Sequence, residues 1–91
     1  MDIDFDPVKD AINRRQHGVS LAFGATVFND DAHLILSTFR PEDGEHRFKV
    51  IGNVEGRLWT AVYVMRGMAH RFISVRKSNG TEVQAYHSDQ G

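Results

Sequence analysis

The run Leu58-Trp59-Thr60-Ala61-Val62-Tyr63-Val64-Met65 carries no charge and mixes β-branched with aromatic residues over a strand's length. It predicts a central strand covered on both faces, since neither alternate set of positions is polar. Ahead of it, Glu45 to Ile51 alternates. His46, Phe48 and Val50 share one face, and Glu45, Arg47 and Lys49 share the other. His33 to Phe39 reads as an earlier strand and residues 70–77 as the last. Their connections are Arg40-Pro41-Glu42-Asp43-Gly44, Asn53-Val54-Glu55-Gly56 and Arg66-Gly67-Met68. Connections this short imply antiparallel hairpins.

The first third of the chain follows a helical period. Asp6 can cap free N–H groups and Pro7 suits the first helical position. Val8, Ala11 and Ile12 fall at i, i+3, i+4 and form one apolar stripe; Arg14, Arg15 and His17 gather at the carboxyl end before Gly18. Ser20 can cap a second helix over about residues 21–28, with Leu21, Phe23, Val27 and Phe28 apolar. Residues 3–5 could add a short edge strand, and Thr81 can cap a short terminal helix holding Glu82, Ala85 and Tyr86. The expected architecture is an α+β sandwich in one domain over residues 1–91. Two N-terminal helices pack on a four-stranded antiparallel sheet, and a short helix closes the chain.

Composition narrows the class of protein. A chain of 91 residues can bury roughly 60–65% of its unfolded surface, enough for one two-layer core. It has no cysteine, which removes disulfides and thiolate zinc sites. The acidic start Met1-Asp2-Ile3-Asp4-Phe5-Asp6 lacks the basic and apolar pattern of a secretory signal, and no apolar stretch approaches the ~20 residues of a membrane helix. The expectation is a soluble, cytoplasmic protein with no membrane partner. Charge, however, is sorted. Residues 45–77 hold seven basic side chains against Glu45 and Glu55, so that stretch is +5 and the remainder is −6, giving the overall −1. A sheet carrying that much cation is a candidate surface for a polyanion, or a set of solvated outward faces.

The ordered pieces resemble the BrnT family of type II toxin–antitoxin toxins, from about Phe5 to Tyr86. They are Asp6 with Lys9 and Asn13, His17-Gly18-Val19, Val27-Phe28 with an acidic pair behind, Glu45-His46-Arg47 with Ile51-Gly52, and Arg57-Leu58. Arg71-Phe72-Ile73-Ser74-Val75-Arg76-Lys77 then precedes Glu82 and Tyr86. The resemblance implies a RelE-like fold and ribonuclease activity on free RNA. It also implies neutralisation by a BrnA-type antitoxin, with promoter DNA bound only through that antitoxin. The chain departs from the pattern in two places. Residues 78–85 lack the family's arginines, which bears on RNA affinity. Ala22 and Phe23 stand where acidic residues are usual, which could create an apolar antitoxin contact or alter core packing.

RNA carries its own nucleophile, so cleavage needs a proton acceptor, donors for the phosphorane and a proton source for the leaving oxygen, with no cofactor required. Carboxylates are scarce in the basic stretch and no spacing marks a metal cage, which favours metal-free cleavage. Arg71 and Arg76 are first choices for phosphate, through bidentate guanidinium forks. They differ in parity, so one site takes both only across a bulge or at the strand's end. Arg47, with Lys49 beside it on one face, is the next candidate for RNA contact, or else a cross-strand ion pair. Tyr86 could exchange a proton, stack on a base or simply pack its helix on the sheet. Glu82, one turn earlier, could act as a base or orient an arginine, the latter being preferred. Lys77 could neutralise phosphate charge or stand exposed at a strand end. His17 could serve as general acid or base, or only cap a helix end. The competing class is a non-catalytic RNA-binding or operon-repressing partner of a DNA-binding antitoxin.

Overall fold

The structure, a computed structural model, describes residues 1–42 and 44–90. Asp43, within one expected connection, lies outside the described residues. Five strands form one sheet: β1 (Ile3–Asp4), β2 (Leu34–Arg40), β3 (Glu45–Val54), β4 (Arg57–Arg66) and β5 (Ala69–Lys77), in the order β1-β5-β4-β3-β2. The β4 run predicted to be central is the middle strand, with Thr60, Ala61, Tyr63 and Val64 buried. The hairpins β2–β3, β3–β4 and β4–β5 are antiparallel, whereas β1 joins β5 in parallel. The sheet is thus five-stranded and mixed rather than four-stranded and antiparallel. The parallel pairing arises because β1 and β5 are separated by nearly the whole chain, with no tight turn to force them antiparallel.

Helix α1 (Pro7–His17) begins as expected. Asp6 Oδ1 accepts from the Val8 N–H at 2.8 Å, and Gly18 ends the helix in the left-handed region, its N–H donating to the Arg14 carbonyl. The anticipated second helix is shorter and tighter: a 3-10 turn, Leu21–Phe23, runs into α2 (Gly24–Val27). Ser20 makes no side-chain cap there; Asp10 reaches from α1 and accepts from the Leu21 N–H at 2.7 Å. Helix α3 (Gly80–Gln90) starts on Asn79 rather than Thr81. The Asn79 side chain accepts from the Glu82 N–H and Glu82 Oε1 accepts from the Asn79 N–H, both at 2.9 Å, a reciprocal capping box.

The apolar stripe expected to bury α1 faces solvent instead, with Val8 68% and Ile12 42% exposed. The buried residue of α1 is Asn13. Its side chain donates to the Val75 and Val19 carbonyls at 2.9 Å and accepts from the Val75 N–H at 3.0 Å. Asn13 therefore acts as a strand surrogate on β5 beyond the end of β1, satisfying edge groups whose burial would otherwise cost free energy.

The main core lies between the sheet and the α1/α2 layer. Leu21 and Val27 pack against Val50, Ala61, Tyr63, Phe72 and Val75. Where β3 passes under α2, the strand needs Gly52: a Cβ there would sit 2.3 Å from the Val27 carbonyl oxygen. That atom is backbone and cannot rotate away. Gly52→Ala is expected to cost about 2 kcal/mol by overpacking. A urea titration would register this as a lower midpoint; an unchanged midpoint would mean α2 slides aside without penalty. The β3–β4 turn has Glu55 and Gly56 both at positive φ, the hairpin geometry that matches strand twist.

No helix among the described residues is long and apolar enough to cross a membrane.

Candidate active site

Strand register sorts the side chains into two faces. Directly opposed residues of antiparallel strands point the same way. Lys49 opposes Val62 and Arg76 opposes Thr60, while the core pairs Val50–Ala61 and Ala61–Val75 point to the other side. Arg47, two residues before Lys49, shares its face. The face away from α1 and α2 thus carries Arg47, Lys49, Thr60 and Arg76, and α3 packs over part of it.

Glu82 projects from the first turn of α3 into this group and is 1% exposed. Arg76 grips its carboxylate in a fork, Nη1 to Oε1 at 2.7 Å and Nη2 to Oε2 at 2.9 Å. Lys49 Nζ donates to Oε2 at 3.0 Å, and Thr60 Oγ1 donates to Oε1 at 3.0 Å. With the Asn79 N–H, these donors saturate the carboxylate. Burial disfavours its ionised form, but the Arg76 fork, the Asn79 N–H, Lys49 and Thr60 outweigh that and hold the carboxyl at about 2. Arg76 is raised in turn, first by its bond to Glu82. A carboxylate so weakly basic cannot take up a proton near neutrality. Its two oxygens fix the orientation of the Arg76 guanidinium.

Beside this anchor lies a concavity of about 270 Å³ lined by Thr38, Arg47, Phe48, Lys49, Val62 and Arg76. Of the five guanidinium N–H donors of Arg76, Glu82 takes two and the Lys77 carbonyl a third at 3.4 Å. Among the described residues, donor capacity therefore remains for an incoming anion.

Four candidates from the sequence lie elsewhere. Arg71 does share the face of Arg76, because the β4–β5 register shifts at Val62/Tyr63 and leaves Ile73 as an extra residue. Its guanidinium nevertheless pairs with Asp4 and so fastens β1. Tyr86 is buried, and its hydroxyl donates to Asp30 Oδ2 at 2.5 Å. That bond, with burial adding to it, pushes the phenol up to about 12. Asp30 is lowered reciprocally, first by Tyr86 and then by the Asn53 N–H. His17 ends α1, in the helical layer on the opposite side of the sheet from the Arg76 group. Lys77 opposes Trp59, so it points away from Arg76.

Tyr86 and Asp30 instead tie α3 to the loop before β2, where Gln90 also donates to the Ala32 carbonyl at 3.1 Å. Tyr86→Phe should lose one hydrogen bond to a charged acceptor, about 1.5 kcal/mol. Amide exchange in the last turns of α3 should accelerate accordingly; unchanged protection would deny the tether any structural role.

Sequence reading missed Thr60 and Asn79, and took Asp30 only as one of the acidic pair behind Phe28. The spacing Asn79-x-x-Glu82 was a usable signal for the capping box. Thr60 stood out only as the hydroxyl inside an otherwise apolar strand.

A family model described as the ribonuclease toxin, BrnT, of type II toxin–antitoxin systems matches residues 5–82. No curated protein sequence matches the chain. The family match spans most of the sheet and the whole Arg76–Glu82 constellation, so the chain belongs to the BrnT family of type II toxin–antitoxin ribonuclease toxins, with the RNA target and antitoxin partner that membership implies.

Proposed function

We propose that the protein is a metal-independent RNA endonuclease whose scissile phosphate lies in the concavity of Arg47, Lys49 and Arg76, with Glu82 as positioning residue. The observation that carries this reading is the Arg76–Glu82 fork, which holds a guanidinium in place at a cationic hollow of about 270 Å³. In the reaction, the ribose 2′-oxygen bonds to phosphorus as its proton passes to a water molecule. The P–O5′ bond then breaks, and the departing 5′-oxygen takes up a proton from water. The products are a 2′,3′-cyclic phosphate and a 5′-hydroxyl. Arg76 and Arg47 stabilise the charge that grows on the non-bridging oxygens, and the Lys49 ammonium supports the leaving oxygen. A pre-aimed guanidinium contributes more than a mobile one because it needs no reorganisation as charge develops.

The metal-free aspect is supported by the state of Glu82. Its lone pairs are committed to five donors, so the carboxylate nearest these cations has no capacity left for a metal ion. A BrnA-type antitoxin would silence the enzyme by covering the cationic hollow, and would itself carry the contact with promoter DNA. The alternative contact through the apolar residues of the second helix is disfavoured by burial, since Leu21 and Val27 are fully enclosed and Phe23 and Phe28 pack on the core.

The test is incubation of antitoxin-free protein with RNA in excess EDTA. Cleavage leaving 2′,3′-cyclic phosphate ends is the expected result. Cleavage abolished by chelator and restored by a divalent ion would overturn the metal-free reading. Folded protein that binds RNA but never cleaves it would instead establish a non-catalytic module.

A further inference from the structure

A larger concavity, about 440 Å³, opens at the end of the sheet between the β3–β4 turn and α3. Arg57 enters it from the turn, Lys77 and Ser78 from the end of β5, and His87 from α3, while Leu58 and Val83 add apolar surface. Arg57, Lys77 and His87 are exposed, and no carboxylate is among the lining residues described. Arg57 and Lys77 line this hollow and, among the described residues, no carboxylate shares its wall, so an anion held there would be attracted by both.

This hollow is physically joined to the Arg76 site. Ser78 Oγ, on its wall, lies 2.8 Å from Thr60 Oγ1, which donates to Glu82. Lys77 follows Arg76 directly in β5 but projects from the opposite side of the strand, and Arg57 shares the Trp59 side of β4. A polyanion held at Arg76 meets this second cationic cleft by passing the first turn of α3 and rounding the end of the sheet. Leu58 and Val83 offer apolar surface suited to a sugar or base face rather than to a bare inorganic ion.

We propose that this cleft is a second subsite, which takes the neighbouring phosphodiester and its nucleoside along a single-stranded RNA whose scissile phosphate lies against Arg76. The assignment rests on the ribonuclease reading above.

The test uses 2′-O-methyl oligonucleotides, which lack the attacking hydroxyl and stay intact. Binding of a dinucleotide would be followed by NMR shifts and of an octanucleotide by fluorescence anisotropy, each over a range of salt. The Arg57→Ala/Lys77→Ala double variant should lose about tenfold in octanucleotide affinity. Its log–log salt slope should fall by roughly 0.7, corresponding to one fewer neutralised phosphate on a single strand. Dinucleotide affinity should change far less. An equal loss at both lengths, or none, overturns the subsite. If Arg76→Ala weakens both ligands while the double variant weakens neither, the subsite alone falls. If Arg76→Ala leaves dinucleotide affinity intact, the first site falls and takes the subsite with it. Both replaced side chains are exposed, so the double variant should keep the wild-type melting temperature.

Discussion

Arg76→Ala is expected to slow RNA cleavage by about 100-fold to 1,000-fold, the range seen when one preorganised donor to a transition-state oxyanion is removed. The loss should fall more on kcat than on ground-state affinity, which loses one phosphate contact, because a group aimed at developing charge gains most as that charge appears. Arg76→Lys should recover only part of the rate, since an ammonium keeps the charge but cannot form the two-point fork with Glu82. The fork makes this arginine matter more than its neighbours: it is held by Oε1 and Oε2 at once, whereas Lys49 is held by one oxygen. Circular dichroism at the assay temperature separates a chemical effect from unfolding. Folded Arg76→Ala protein that cleaves within threefold of wild type would falsify the assignment.

Glu82→Gln is expected to be the most destabilising single substitution of a polar residue in the chain. An amide offers one oxygen where the carboxylate offers two, and its NH2 would point a donor at Arg76 or Lys49. Removing one member of a buried ion pair costs about 3–5 kcal/mol, because the remaining charges lose their partner. Linkage gives a consistent figure. A carboxyl held at about 2 in the folded state against an ordinary 4.5 represents about 3 kcal/mol. Because the folded value is depressed, this stability is fully present above pH ~4.5 and disappears as pH falls from about 4.5 towards 2. Wild-type melting temperature should therefore drop through that window. Glu82→Gln should start roughly 10–20 °C lower at neutral pH and lose much of the acid dependence. A variant that melts with wild type at pH 7 would show the carboxylate to be dispensable.

The strands were legible because their alternation is strong. His46, Phe48 and Val50 against Glu45, Arg47 and Lys49 set the β3 register, and the uncharged β4 run could only be central. The N-terminal helix was legible in its boundaries, through Asp6, Pro7 and Gly18, but not in its orientation. Its apolar residues Val8 and Ile12 face outward, and Asn13 turns inward because the β5 edge demands hydrogen-bonding partners more than the core demands volume. Periodicity cannot anticipate that preference, which depends on a strand sixty residues away. The bulge at Ile73 was equally hidden: it puts Arg71 on the same face as Arg76, yet Asp4 claims Arg71. Of the candidate site, the shared basic face of Arg47 and Lys49 could be read in advance. The engagement of Tyr86 by Asp30 could not, since it links residues on opposite sides of the chain's folding path.

The amide side chain of Asn13 has a consequence for self-association. With β1 and Asn13 occupying one flank of the sheet, the long open flank is β2, where Ile35 and Phe39 stand exposed. Two copies meeting flank to flank there would use up the one extensive free rim each has among its described residues. Growth by strand pairing would then stop at a pair, with no lip left for a third copy to join.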